Sequence, residues 1–221
     1  MKISLINAGK RFNREWIFRN IDYTFSSGQA YAITGPNGSG KSTLLQTIGG
    51  ALLLSEGEIH LSDADQGTTL TKKADPITEN WHALLSIAAP YLELIEEYTL
   101  LEFLRFHRQF KSFRAGMQPE KIIETLHMTA YRDKQIRVFS SGMKQRVRLA
   151  QAILSEVPVI LLDEPCTNLD QDGVRQYHSL ITEYCTDRLV IVSSNDPAEY
   201  SFCSNILHLS DFKKGSPKGD H

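Results

Sequence analysis

An α/β fold is predicted by three stretches of this sequence. Gln29-Ala-Tyr-Ala-Ile-Thr34 is short, apolar and β-prone, and it leads through a glycine-rich turn into Ser42–Gly49, which reads as a helix ended by Gly49-Gly50. Val157–Leu162 is a continuous apolar run, the pattern of a strand buried on both faces. Beyond it, Asp172–Cys185 reads as a helix, Leu189–Val192 as a strand and Ile206–Leu209 as a last strand.

The remaining elements follow in chain order. Lys2–Ile6 and Trp16–Phe25 read as strands joined by a basic turn, Gly9-Lys-Arg11 through Arg14, and Ser26-Ser-Gly28 turns the chain again. Gly57–Leu61 reads as another strand, and Ser62–Asp75 is polar and loop-like. Ala83–Ala89 reads as a strand stopped by Pro90. Tyr98–Phe110 has helical spacing, with Leu100, Leu101, Leu104 and either His107 or Arg108 on one side. Pro119 fits the first turn of a helix running to about Met128. Ser140 or Ser141 can cap a helix from Gly142 to about Ser155. The order is early β, a helix-rich middle over about 90–140, then β-α-β, without an internal repeat.

Composition narrows the function classes. The 221 residues are 41% hydrophobic and 23% charged, ordinary values for one large globular domain. A net charge of −2 argues against attachment to nucleic acid by bulk charge. No run approaches the roughly 18 apolar residues of a membrane span, and the opening Met1–Asn7 is too short for a secretory signal. Cys166, Cys185 and Cys203 are odd in number without metal-like spacing, which points to a reducing, cytoplasmic compartment. The polar tail from Lys213 is expected to fray.

Two motifs carry phosphate chemistry. Gly35-Pro36-Asn37-Gly38-Ser39-Gly40-Lys41-Ser42-Thr43 fits G-x-x-x-x-G-K-[ST] between a strand and a helix. Its glycines let backbone N–H groups turn inward on an anion, and the helix start adds partial positive charge. Lys41 would bridge the β- and γ-phosphates of a nucleoside triphosphate, and Ser42 would ligate Mg²⁺. Val159-Ile-Leu-Leu-Asp163-Glu164 ends a buried strand in two acids, at the sheet edge where α/β folds place ligands. Asp163 would hold Mg²⁺, directly or through water, and Glu164 is the candidate to polarise an attacking water.

Phe139-Ser140-Ser141-Gly142-Met143-Lys144-Gln145-Arg146 resembles the Leu-Ser-Gly-Gly-Gln signature of the ATP-binding-cassette (ABC) ATPases and the basic-Gln-Arg that follows it. As in that family, it lies about 20 residues before the Asp-Glu pair. Ser140 and Gly142 match; Phe139, Ser141 and Met143 depart. Read from the residues alone, a Ser cap and a Gly at a helix start form a second anion site; in the family that site completes the nucleotide pocket of the opposite subunit. Thr167-Asn168-Leu169-Asp170 resembles the family's D-loop. Phe12, 29 residues before Lys41, stands where the family stacks an aromatic on adenine, with Trp16 as a second candidate. A core aromatic at a strand end is the other account of Phe12.

The resemblance implies an ATP-binding, Mg²⁺-dependent ATPase subunit of an ABC transporter. It also implies a single domain over 1–221 with a RecA-like P-loop core and an antiparallel β subdomain. A helical subdomain would be inserted over about 90–155, with a flexible tail from about 211. The expected partners are a second, identical cassette closing head-to-tail and an integral-membrane permease, with no nucleic acid. The expected place is the cytoplasmic face of a membrane. Tyr91–Phe110 would contact the permease or form a solvated amphipathic helix.

Two positions depart from the family. Ala88-Ala89-Pro90-Tyr91-Leu92-Glu93 has no Gln where the family senses Mg²⁺ and water, leaving Tyr91 or Glu93 to stand in. Asn195 occupies the place of the γ-phosphate His, which makes it the second catalytic candidate and bears on turnover rather than binding. A nucleotide-gated switch with little turnover is therefore one alternative. A soluble ABC ATPase acting on DNA or ribosomes is another, against which stand the absence of heptads and of a second P-loop.

Overall fold

The computed structural model describes residues 1–63, 68–72 and 81–212, folded as two sheets with helices around them. The tail from Lys213 falls outside these residues. The first sheet is antiparallel, in the order β2-β1-β4-β5. It comprises β1 (Lys2–Phe12), β2 (Glu15–Ser26), β4 (Glu56–Asp63) and β5 (Thr68–Lys72). The basic turn expected over Gly9–Arg14 is shorter than that. Both strands continue through it, pairing Arg11 with Trp16 and Phe12 with Glu15, and only Asn13-Arg14 turn. Asn13 supplies the positive φ of 53° that such a tight hairpin requires. The loop expected over 62–75 is in part strand, because β5 pairs with β4 from Asp63↔Thr68 to Ile59↔Lys72.

The second sheet is wholly parallel, in the order β6-β7-β8-β3-β9. Its strands are β3 (Ala30–Thr34), β6 (Leu85–Ala88), β7 (Val159–Asp163), β8 (Leu189–Ser193) and β9 (Asn205–His208). β7 shows why its sequence reads as a continuous apolar run. Val159 and Leu161 join the apolar cluster that also holds Phe18, Phe25, Ile33 and Leu45, on the side of the antiparallel sheet and α1 (Lys41–Ile48). Ile160 and Leu162 join the opposite cluster, with Leu104, Ile122, Val147 and Leu180 of the other helices. A strand covered on both faces has no position left for a polar side chain until its end, where Asp163 stands.

Those other helices are α2 (Leu100–Phe110), α3 (Pro119–Thr125), α4 (Ser141–Ile153), α5 (Gln171–Tyr184) and α6 (Pro197–Tyr200). Thr99 and Glu102 close a reciprocal capping box at α2, and α3 stops three residues before the expected Met128. α6 is a turn of helix that periodicity over so few residues does not reveal. Strands β3, β6, β7 and β8 all deliver their carboxyl ends to one edge of the parallel sheet, and the chemistry collects there.

Candidate active site

The glycine-rich turn leaves β3 and enters α1 with Gly40 as the N-cap, at φ 100°. That backbone suits only glycine, and a Cβ there would stand 2.2 Å from Ile17 Cγ2. The turn closes on itself through Ser39 N–H donating to the Pro36 carbonyl at 3.0 Å. Lys41 is 5% exposed, and its Nζ donates to the carbonyls of Gly35 (2.9 Å) and Pro36 (3.3 Å). The ammonium thus lies folded over the loop, held by neutral acceptors.

A cleft of about 240 Å³ opens over this turn, lined by Ile17, Asn37, Gly38, Gly40, Lys41, Ser42, Thr43 and Glu164. A second, of about 290 Å³, adjoins it through Asn37 and Glu164, and adds Cys166, Thr167, Asn195, Asp196 and Glu199. The fold therefore brings Lys41, Ser42, Glu164 and Asn195 to one continuous site from positions 154 residues apart in sequence (195 − 41).

Asp163 lies beneath the site at 2% exposure, and its Oδ1 has no hydrogen-bond partner among the described residues. Burial raises its pKa; the hydroxyls of Ser193 and Ser42 and the Lys41 ammonium oppose the rise, and Glu164 adds to it. A buried carboxylate oxygen without a donor is costly, and a cation shared with the Ser42 hydroxyl removes that cost. The residues present thus fit a hard, oxygen-bound ion such as Mg²⁺. Ser39 Oγ is likewise buried without a partner, inside the turn.

Glu164 follows at φ 43°, a left-handed conformation uncommon for a residue with a side chain, with its N–H on the Ser193 carbonyl at 2.9 Å. The next turn is fixed by a residue the sequence reading passed over. Glu199 Oε1 accepts the Cys166 N–H at 2.7 Å, and the Glu199 side chain is 5% exposed. Burial raises the Glu199 pKa against its bonds from Ser194 and Cys166. Asp196 capping Ala198 N–H, with Pro197 at the first helical position, is the sequence signal that could have placed Glu199 in a helical turn beside Asn195.

Of the two residues expected to stand in for the missing Gln, Tyr91 is near enough to Asp163 to feel its charge. Burial pushes its phenol up to about 12, the Asp163 charge adds to this, and a bond from Gln46 opposes it. Glu93 lies instead within reach of Arg148.

Four sequence candidates lie away from the cleft. Phe12 is 47% exposed at the end of β1 with Lys10 Nζ 5.0 Å above its ring, whereas Ile17 lines the cleft. Trp16 sits between Arg11 and Arg19, 5.5 and 4.5 Å from its ring. Ser140 caps α4 by accepting the Met143 N–H at 3.2 Å. Gly142 packs against the Asn168 carbonyl, 2.8 Å from where a Cβ would stand. Neither Ser140 nor Gly142 lines the cleft of its own Lys41.

The sequence model of a family described as "ABC transporter" matches residues 18–167. An uncharacterized ABC transporter ATP-binding protein of Bacillus subtilis, YybJ, is 27% identical over 212 residues, covering 94% of this chain and 92% of its own. A second from the same organism, YhcH, is 30% identical over 217 residues, covering 96% of this chain and 68% of its own. Among solved structures, the dimer of MJ0796, described as a bacterial ABC transporter cassette, superimposes with a TM-score of 0.75. It is 25% identical and covers 93% of each chain.

Proposed function

This chain belongs to the ABC transporter family as an ATP-binding subunit, an ATPase that energises transport, and from that premise we propose which of its residues do the work. The carrying observation is that Lys41, Ser42 and Glu164 line one cleft above a buried Asp163 with an unpartnered oxygen.

ATP enters with its phosphates in the turn Gly35–Thr43. Lys41 leaves its loop carbonyls to neutralise the β- and γ-phosphates, and the orphaned Ser39 hydroxyl lies within the same turn. Ser42 and Asp163 would hold Mg²⁺, which would supply charge neutralisation on the phosphate oxygens. Glu164 orients the attacking water and accepts hydrogen bonds from it, and Asn195 donates to the γ-phosphate from the far wall. Ile17, which lines the cleft, covers the base.

Ser140 and Gly142 lie outside their own cleft, so a second copy of the chain, placed head-to-tail, supplies them to the opposite nucleotide. The partner that receives the motion is an integral-membrane permease on whose cytoplasmic face the pair sits, with no role for nucleic acid. Among the described residues no helix is long and apolar enough to cross a membrane. The chain works as one domain, 1–221, with a helical subdomain over about 90–155.

Lys41→Ala tests the reading at its base. Titration calorimetry should show loss of Mg-ATP binding, because the cation facing the β- and γ-phosphates is gone. Unchanged affinity would remove the foundation of the assignment. A second reading, a nucleotide-gated switch with slow turnover, is favoured by one observation, the amide of Asn195 where an imidazole would carry a proton.

A further inference from the structure

Helix α4 grips two loops, one from each side. Towards the loop after β6, Arg148 Nε donates to the Leu92 carbonyl at 2.6 Å, and Lys144 Nζ meets Glu96 Oε1 at 2.5 Å. Towards the loop after β7, Gln145 Nε2 donates to the Pro165 carbonyl at 2.9 Å, and Arg146 pairs with Asp170 at 2.7 Å. The two grips touch within the helix, where Arg148 Nη1 donates to Gln145 Oε1 at 3.3 Å. A polar path therefore runs from the Leu92 carbonyl through Arg148 and Gln145 to the Pro165 carbonyl. One end adjoins Tyr91, whose phenol feels the Asp163 charge; the other adjoins Glu164.

The chemistry of the path allows one arrangement. Gln145 is 1% exposed, and reversing its amide would set carbonyl against carbonyl at Pro165 and N–H against N–H at Arg148. Arg148 is disfavoured as a charge by burial and favoured by Glu96 and Glu93, so the loop that receives its hydrogen bond also supplies its counter-charge. Neither side chain lines the nucleotide clefts. Glu164 is held by its N–H on Ser193 and by its neighbour Pro165 on Gln145, at a backbone conformation with few alternatives.

We propose that Gln145 and Arg148 are positioning residues that couple the loop Tyr91–Glu93 to the turn presenting Glu164, so that movement of the first resets the aim of the second. The proposal rests on Glu164 as the water-orienting group. Displacements near 1 Å at a reacting centre cost up to about 100-fold in rate, so a small shift passed along this path is enough to gate turnover.

The test uses the full chain with Gln145→Leu, Arg148→Met and the double variant. Turnover should fall about tenfold in each while the KM for ATP stays within about twofold. The double variant should be no slower than the slower single, because the two act in series. Hydrogen–deuterium exchange over residues 164–170 should rise in Arg148→Met, although among the described residues that side chain donates to Leu92 and Gln145 and not to the 164–170 segment itself. Arg148→Lys, which keeps a donor for Leu92, should recover part of the rate. Wild-type turnover in Arg148→Met overturns the proposal, as does an exchange change confined to residues 90–97, or additive losses that track a falling Tm. Should Gln145→Leu fail to fold, Arg148→Met carries the test. A wild-type chain that does not hydrolyse ATP would refute the Glu164 reading, and the exchange measurement would still decide the coupling.

Discussion

Asn195 shares a wall with Glu164, and its amide can donate to a phosphate oxygen without carrying charge or relaying a proton. Losing a group that takes part in proton transfer costs on the order of 10²–10⁴ in rate, and much less when the group only positions. Asn195→His should therefore raise single-turnover hydrolysis, most where the imidazole titrates, within about pH 6 to 9. Equal rates across that range would show that Glu164 does the base work alone. His107 offers a second residue-level test, on stability. Ser155 donates to the Gln151 carbonyl at 2.6 Å, so its oxygen accepts from His107 Nε2–H at 3.0 Å, and Nδ1 accepts from Gln151 at 3.0 Å. Burial lowers the His107 pKa to about 4, with Lys111 adding to the effect. The unfolded chain then binds a proton below about pH 6.5 that the folded chain refuses until about pH 4. Stability from this group is intact above the upper value and falls as pH drops through the window, by about 1–2 kcal/mol after allowing for partial exposure. His107→Gln should remove that slope in urea denaturation between the two pH values. A difference between variant and wild type that stays constant with pH would refute it.

Elements are held at their ends by groups far away in sequence, and this decides what was legible. Arg188 is 4% exposed and donates to the carbonyls of Ile153 (2.6 Å), Ser155 (3.0 Å) and Tyr184, tying the C-termini of α4 and α5 together. Asp187, the neighbouring carboxylate, is taken by Arg114 at 3.1 Å. Arg188→Met removes the donor to the buried Ile153 carbonyl, while Val157 N–H still serves Ser155 and Arg114 still serves Tyr184. The loss should cost about 2 kcal/mol, seen as a Tm lower by roughly 4–8 °C. A change within about 0.5 kcal/mol, the range of an ordinary surface substitution, would contradict this role. Helices with a local signal were readable: Ser140 caps α4 and Pro119 opens α3. β5 was not readable, since Thr68-Thr-Leu-Thr-Lys72 lacks apolar alternation and becomes a strand through its pairing with β4. The glycine-rich turn was legible because its chemistry is contiguous and made of backbone. The bonds from Gln145 to Pro165 and from Cys166 to Glu199 span 20 and 33 residues, and no local spacing encodes them.

At the scale of the whole molecule, the parallel sheet gathers the carboxyl ends of β3, β6, β7 and β8 at one edge, while α4 carries Ser140 and Gly142 away from that cleft. On the proposed reading, the chain holds the parts of a nucleotide site without closing one around its own ATP. Gly142 against the Asn168 carbonyl, with Arg146 on Asp170, keeps the signature turn and the loop after Glu164 in one body. A partner's nucleotide seated on Ser140 would therefore bear on Glu164 of the same chain. On the proposed mechanism, Glu164 drives hydrolysis in a pair of chains closed by ATP. This is tested most directly by light scattering and phosphate release on Glu164→Gln with saturating Mg-ATP. An amide cannot polarise water as a carboxylate does, so ATP should stay intact and the particle mass should double with ATP but not with ADP. A variant that remains monomeric and releases phosphate at the wild-type rate would contradict the account.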